Sequence, residues 1–600
     1  MSEVHDSGVL NRTSKIMNNK QLLIMLFLGL LLRTTASGAL PEQSEIELIE
    51  KTSTLVPMRD GVHLETNIYR DPNIIDSLPV LIIRTPYNQE GFDRDARLFA
   101  AAGYVAMTQD SRGQYGSEGA YPMLTGEGQD AYDTFEWIRE QPWCNGKIGT
   151  WGGSYMGLAQ WMAAAEGVPI DAMAPVASCS DVYDDLYIGG VYKIAFVFMG
   201  YSGSFLNDPP PPGETLDWPK IMMHLPMTEI DKAVGRPSPW RMSFIKHHKP
   251  DNFWKRLSAS SEIPNMDIPM LQIVGYYDFF CRGAVSSFLA MRNRSATAHS
   301  RENQQIILGP WTHRSGGSTK VEDMDFGRAG DVGPGTAGRP TASLPWFDRF
   351  LKGIGADKPF PKVRYFSMGD NAWHAAEDWP PIEADLTPYY LHSGGNANTR
   401  NGDGRLELDP PSVKQKSDQF VSDPDNPVPT APGREEKFLP RFGPFDQQLA
   451  QDREDVLIYS TPPLEVPVRF AGPIKAELYV SADTPDADWV VKLLDIHPSG
   501  FAHPLATGVQ RGSARESSLH RSLLTPGKIY RIIVDVGHTA ARISPGHRLC
   551  IQIQGSNFPA YERGVNTGEG PTGTRKLVSK ETVYHSPEFP SRVLLPMMPD

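Results

Sequence analysis

The chain has 600 residues, a formal net charge of −13 and 40% hydrophobic residues. That length exceeds what one hydrophobic core serves, so two or three domains are expected. The acidic balance, with no basic run interleaved with aromatics, excludes nucleic acid or an anionic membrane surface as the main partner.

In chain order, Lys20 precedes an apolar run from Leu22 to Leu32, followed by Arg33 and the small residues 34–39. A basic start, an apolar centre and a small-residue cleavage zone predict a signal peptide over 1–39. The run is short for a membrane span, so the mature protein is expected to be exported, periplasmic or secreted, with no stable membrane insertion after cleavage.

Residues 45–180 alternate strand-like and helix-like segments, the pattern of a mostly parallel sheet covered by helices. Strands are predicted at Val62 to Tyr69, Pro79 to Arg84, Tyr104 to Gln109, Ile148 to Trp151 and Ala172 to Ala177. Helices are predicted over Glu127 to Glu140, where Ala131, Phe135 and Ile138 share a face, and over Leu158 to Glu166. Residues 181–265 break the rhythm with aromatic and Met-rich segments and four consecutive prolines, Pro209 to Pro212, which predict an inserted helical cap. The sheet pattern resumes over 266–355, with strands at Pro269 to Val274 and Gln305 to Leu308 and a helix near Phe347 to Leu351. Residues 360–600 read as all-β: Ala476 to Val480, Trp489 to Leu494, Tyr530 to Val536 and Leu549 to Gln554 alternate with period two. Turn signals between them imply a sandwich or jelly roll, and 393–436 reads as polar linking sequence. No internal repeat is present.

The four cysteines (144, 179, 281 and 550) are too few for a disulfide framework. Cys179 and Cys281 both follow strand-like segments, so pairing between them is left open. There is no CxxC or HExxH pattern, and His247-His248 are adjacent rather than spaced for one ion, so neither a metal nor a cofactor is expected.

The chemistry concentrates at three predicted strand ends. Gly152-Gly153-Ser154-Tyr155-Met156-Gly157 places a serine on a glycine-flanked turn between strand and helix, as in a nucleophile elbow. It departs from G-x-S-x-G, because Met156 stands at the last glycine position. Asp278 closes Gly275-Tyr-Tyr-Asp278 and His313 closes Gly309-Pro-Trp-Thr-His313. Ser, then Asp, then His is the chain order of an α/β-hydrolase triad. A serine hydroxyl needs a base, imidazole titrates near neutral pH, and a carboxylate fixes the imidazole tautomer. The Tyr155 backbone N–H is one expected oxyanion donor. Asp110, a rival acid, precedes the serine and is expected to anchor the Arg112-Gly113 loop.

These pieces resemble the cocaine-esterase/X-Pro dipeptidyl-peptidase family of serine hydrolases (CocE/NonD), with α-amino acid ester hydrolases as relatives. The resemblance rests on the elbow, Gly275-Tyr-Tyr-Asp278, Gly309-Pro-Trp-Thr-His313, Arg84-Thr-Pro-Tyr87 and Asp110-Ser-Arg-Gly-Gln-Tyr-Gly-Ser-Glu-Gly119, and it spans nearly the whole mature chain. The family elbow is itself G-x-S-Y-x-G, which removes the anomaly at Met156. The resemblance implies that the Tyr87 hydroxyl is the second oxyanion donor, that 181–265 caps the pocket, and that a C-terminal jelly roll packs on an α/β-hydrolase domain. It implies a small-molecule ester, amide or short-peptide substrate. The α-amino-acid branch carries acidic residues just after the triad aspartate; here Phe279, Phe280 and Cys281 stand there, with Asp184 or Asp185 as the remaining carboxylate candidates. An X-Pro dipeptidyl peptidase is the second enzymatic reading, and a silent binding protein is the non-enzymatic one. The oligomeric state is not legible.

Overall fold

A computed structural model describes residues 40–201, 216–330, 340–434 and 442–599. The expected signal peptide and the Pro209 to Pro212 loop lie outside these residues. No described helix is long and apolar enough to cross a membrane.

One ten-stranded sheet forms the first layer system. Its strands are β1 (Glu50–Pro57), β2 (His63–Arg70), β3 (Leu78–Thr85), β4 (Val105–Asp110), β5 (Cys144–Gly153), β6 (Ala172–Val176), β7 (Met270–Tyr277), β8 (Gln304–Thr312), β9 (Val363–Ser367) and β10 (Ala372–Ala376). Neighbours run in the order β1-β2-β4-β3-β5-β6-β7-β8-β9-β10. Pairing is parallel from β4 through β9 and antiparallel at both edges. Parallel strands buried on both faces read as continuous apolar runs, and β3 shows why. Leu81 and Ile83 join Phe99 and Phe347 on one face, while Val80 and Ile82 join Phe135 and Trp161 on the other. Those aromatics come from helices α1 (Asp93–Ala101), α2 (Glu127–Arg139), α3 (Tyr155–Ala165) and, further along the chain, α5 (Pro340–Leu351). Helix α4 (Cys281–Arg294) follows β7 and buries Val285 and Phe288 against the sheet.

Among the described residues between β6 and β7 lie six short α-helices: Val182–Leu186, Ala195–Tyr201, Trp218–Met222, Ile230–Val234, Pro239–Lys246 and Asn252–Lys255. Their apolar sides, including Phe244 and Trp254, form one cluster with Leu158 of α3 and with Phe279 and Phe280. The cap is therefore seated on the elbow helix and on the β7 end.

The C-terminal half holds β11 (Asp385–His392), β12 (Arg405–Glu407), β13 (Asp418–Ser422), β14 (Val456–Ser460), β15 (Val468–Ala482), β16 (Asp488–Ile496), β17 (Ala502–Arg511), β18 (Tyr530–Ile543), β19 (Arg548–Gln554), β20 (Ser579–Tyr584) and β21 (Arg592–Met597), joined in one eleven-stranded sheet. Two expectations need correction. The hydrolase sheet does not end near residue 355, because β9 and β10 extend it. Just past β9, the Met368 N–H donates to the Ala540 carbonyl and the Met368 carbonyl accepts from the Arg542 N–H, so the two sheets are hydrogen-bonded to each other at this point before the chain returns to β10. Nor is 393–436 only a linker, since β12 and β13 lie within it. All four cysteines are free, Cys179 and Cys281 included.

Lys492 on β16 is a polar intruder in this β core. It is 2% exposed, and its Nζ donates to Gln447 Oε1 at 2.5 Å. Burial pulls its ammonium down to about 7. An unfolded lysine keeps its proton to about pH 10.4. Between those limits the unfolded chain holds more protons, so this group makes stability rise with pH. Lys492→Met should raise Tm most at or below pH 7, with the gain shrinking toward pH ~10 in paired thermal melts; a gain that is constant or grows with pH would contradict this assignment.

Candidate active site

Ser154 follows directly on β5, with φ 58° and ψ −124°, a conformation that L-residues rarely adopt. Its backbone N–H donates to the Val176 carbonyl at 2.9 Å, fixing the turn to β6. The two glycines that matter flank it: a Cβ on Gly152 would lie 2.5 Å from Met156 Cβ, and one on Gly157 would lie 2.3 Å from Ser178 Oγ. The close approach therefore falls at position 157, which explains why a methionine is tolerated at 156. Helix α3 starts at Tyr155, three residues earlier than the sequence pattern suggests.

His313 follows the end of β8, and its Nε2 lies 2.9 Å from Ser154 Oγ. Its Nδ1 lies 3.0 and 3.1 Å from the two carboxylate oxygens of Asp278, just beyond β7. The Asp278 side chain is 1% exposed and that of His313 16%. Asp278 Oδ1 also accepts the Phe280 N–H at 2.8 Å, which orients the carboxylate. A carboxylate at Nδ1 selects the tautomer whose Nδ1–H donates to it and leaves Nε2 to accept the serine proton. The Phe279 ring lies against the imidazole at 4.2 Å between centroids and shields that line from water. β7 and β8 come close enough to align these residues because position 275 is glycine: a Cβ there would sit 2.0 Å from the Trp311 carbonyl oxygen.

The structure also brings Tyr87 and Tyr155 to the serine. Tyr87 Oη lies 3.5 Å from Ser154 Oγ and accepts the Tyr155 N–H at 3.3 Å. Burial pushes the Tyr87 phenol up to about 12, so it remains a donor at neutral pH. The loop that carries Tyr87 is anchored twice: the Tyr87 N–H donates to Thr85 Oγ1 at 3.0 Å, and the Gln89 N–H donates to Asp110 Oδ1 at 2.8 Å. Asp110 thus holds the Tyr87 loop as well as the following turn, whose Ser117 hydroxyl donates to the Asp110 carbonyl. The buried Arg84 lies 3.0 Å from Glu127 Oε2, and Glu127 Oε1 accepts the Tyr155 hydroxyl at 3.2 Å. This network ties β3 and α2 to the elbow. Sequence reasoning missed Glu127, which shares the buried side of α2 with Asp130 and Thr134 and so has no distinctive signal in the residue pattern.

Two lobes meet at Ser154 and His313. The lobe over Ser154 is lined by Tyr121, Leu124, Leu158, Phe196, Trp240 and Phe280, among others, and contains no carboxylate among its described lining residues. The second, about 400 Å³, lies beyond His313 and is lined by Phe198, Met199 and Phe279 with Lys193, Arg314 and Glu322. Asp185 is not in either lobe: its carboxylate accepts the Gly283 N–H at 2.9 Å, and Asp184 is likewise absent from both linings. Lys193, which burial lowers and the neighbouring Asp185 raises, donates to the Phe279 carbonyl at 2.5 Å and so steadies the residue that stacks on His313.

Comparison with known proteins follows the same lines. The X-Pro dipeptidyl-peptidase (S15 family) profile matches residues 60–315, and that of the X-Pro dipeptidyl-peptidase C-terminal non-catalytic domain matches 355–594. Cocaine esterase of Rhodococcus sp. (strain MB1 Bresler) is 34% identical over 581 residues, covering 91% of this chain and 98% of the relative. The chain belongs to the CocE/NonD serine hydrolase family. It is a hydrolase of ester or amide bonds. Among solved structures, an α-amino acid ester hydrolase superposes with a TM-score of 0.79 at 26% identity, covering 94% of this chain and 99% of that one. An aminopeptidase from a marine sediment archaeon, Thaumarchaeota archaeon, gives 0.78 at 26% identity with the same coverage.

If the Tyr87 hydroxyl stabilises the developing oxyanion, Tyr87→Phe should lower kcat by roughly 10²-fold with KM and Tm little changed, as loss of one oxyanion donor does elsewhere. Steady-state kinetics with a p-nitrophenyl ester checks this; a kcat within about twofold of wild type would remove Tyr87 from that role.

Proposed function

We propose that this enzyme is a carboxylesterase that cleaves esters of apolar, preferentially aromatic acyl groups through an acyl-enzyme on Ser154. His313 takes the hydroxyl proton as Oγ attacks the carbonyl carbon, and Asp278 stabilises the imidazolium that forms. The oxyanion is received by the Tyr87 hydroxyl and the Tyr155 N–H. His313 then returns the proton to the departing alkoxide, and water repeats the cycle on the acyl-enzyme. The acyl group occupies the aromatic lobe over Ser154, and the alcohol leaves through the larger lobe beyond His313.

The observation that carries the substrate class is the aromatic lobe itself, with no carboxylate among its described lining residues. A desolvated substrate ammonium needs a close counter-charge. That weighs against α-amino acid esters and Xaa-Pro peptides, although relatives in this family bear those names. The residues of the catalytic line are all of competent type, which weighs against a silent binding protein.

The apolar run Leu22 to Leu32 and the small residues after it support export with cleavage near residue 39. The working compartment is then periplasmic or extracellular.

A substrate panel tests the acyl assignment. kcat/KM should be highest for p-nitrophenyl benzoate or phenylacetate, lower for acetate, and at least about 10²-fold lower for Xaa-Pro p-nitroanilides, the scale on which unpaired buried charge discriminates. Efficient turnover of an Xaa-Pro anilide that requires a free amino terminus would replace this reading with the peptidase one.

A further inference from the structure

Away from the active site, Asp495, His497 and His547 bring one carboxylate oxygen and two imidazole nitrogens within 4.8 Å of one another. They come from different parts of the β sheet. Asp495 lies near the end of β16, and His497 is just beyond it in the turn to β17. His547 closes the β18–β19 turn, and β16 and β19 are paired, with Asp495 opposite Leu549. Two separate turns are thus held side by side by the sheet register, with Asp495 on a strand and the two histidines at the strand ends.

The distances separate two kinds of contact. His547 Nδ1 lies 2.8 Å from Asp495 Oδ1, an ordinary hydrogen bond. His497 Nε2 lies 3.5 Å from Asp495 Oδ2, long for a hydrogen bond between these atoms. The two imidazole rings stand 4.6 Å apart, tilted by 42°. Two ligands held by one zinc-class ion at bonds of about 2.0–2.1 Å and a tetrahedral angle are spaced about 3.3–3.4 Å apart. The His497–Asp495 spacing is close to that value, and all three ligand atoms lie within 4.8 Å of one another. The carboxylate is 5% exposed and the imidazoles 28% and 21%, so an ion from solvent can reach two nitrogens while the carboxylate is kept from water.

We propose that Asp495, His497 and His547 bind one divalent cation of the zinc class, with water completing the coordination, and that the ion staples the β16–β17 turn to the β18–β19 turn. Two imidazoles and one carboxylate suit borderline metals such as zinc and nickel; magnesium and calcium prefer all-oxygen sites. The sequence gives no warning, because two ligands are two residues apart and the third follows fifty positions later on a different turn. The ion adds binding free energy to the folded state alone and so raises its stability. Nothing in this assignment places the metal in the hydrolytic reaction.

The test is isothermal titration of zinc chloride into chelator-stripped full-length mature protein, with thermal melts at each metal concentration. The expected result is one saturable zinc site per chain, a Tm that rises with zinc and is unmoved by magnesium, and binding weakened roughly tenfold or more in both His497→Gln and His547→Gln. His497 is partly exposed and its contact with Asp495 is long for a hydrogen bond, so His497→Gln should keep the metal-free Tm close to that of wild type. Should His547→Gln fail to fold, zinc-edge anomalous scattering from zinc-soaked crystals replaces it, with the ion expected at all three side chains. Equal affinity in wild type and His497→Gln, no saturation by about 100 μM zinc, or an ion bound elsewhere would overturn the proposal.

Discussion

The backbone of Ser154 is the constraint on which the rest of the site depends. A serine at φ 58° holds its hydroxyl clear of both β5 and α3, and the chain stays there only while its neighbours insist. Glycine at 152 and 157 removes the clashes, the Val176 carbonyl takes the serine N–H, and Glu127 takes the Tyr155 hydroxyl. The Tyr155 N–H then points to where the Tyr87 hydroxyl also arrives. The elbow and the meeting of the Tyr87 hydroxyl with the Tyr155 N–H are one feature of the fold.

The two accessory parts complete that site without supplying its reacting groups. Tyr277, beside Asp278, donates its hydroxyl to the Pro504 carbonyl at 3.0 Å and meets His503 Nε2 at 2.9 Å, so the acid end of the line is braced by the β half. From the cap, Lys193 holds the Phe279 carbonyl, and Phe196 and Trp240 wall the lobe over Ser154. Removing either part would leave the Asp278 loop with unfilled contacts on one side.

Much of this was legible from residue order. Ser154, Asp278 and His313 each follow an apolar strand-like run, and parallel strands carry such residues to one edge of a sheet whatever the details. Tyr87 was legible only through family resemblance, since its role depends on a loop folded by Asp110 and Thr85. The role of Glu127, and the hold of Asp110 on the Tyr87 loop beyond its own turn, were hidden because each acts through backbone or hydroxyl partners far away in sequence. Strands β9 and β10 escaped because such short strands have little periodicity of their own; pairing of β9 with β8, and of β10 with β9, creates them. The carboxylates at 184 and 185 looked like substrate ligands by position, yet Asp185 turns inward to a helix N-terminus, which only three-dimensional packing decides.

One serine hydroxyl activated by one imidazole, itself held by one buried carboxylate, is the arrangement on which the proposed hydrolysis rests. Peptide-mapped mass spectrometry after brief treatment with a fluorophosphonate measures this directly. A single phosphonyl adduct on Ser154 is expected, formed far more slowly in His313→Gln although the protein stays folded. An adduct on another residue, or undiminished labelling of Ser154 without His313, would contradict it.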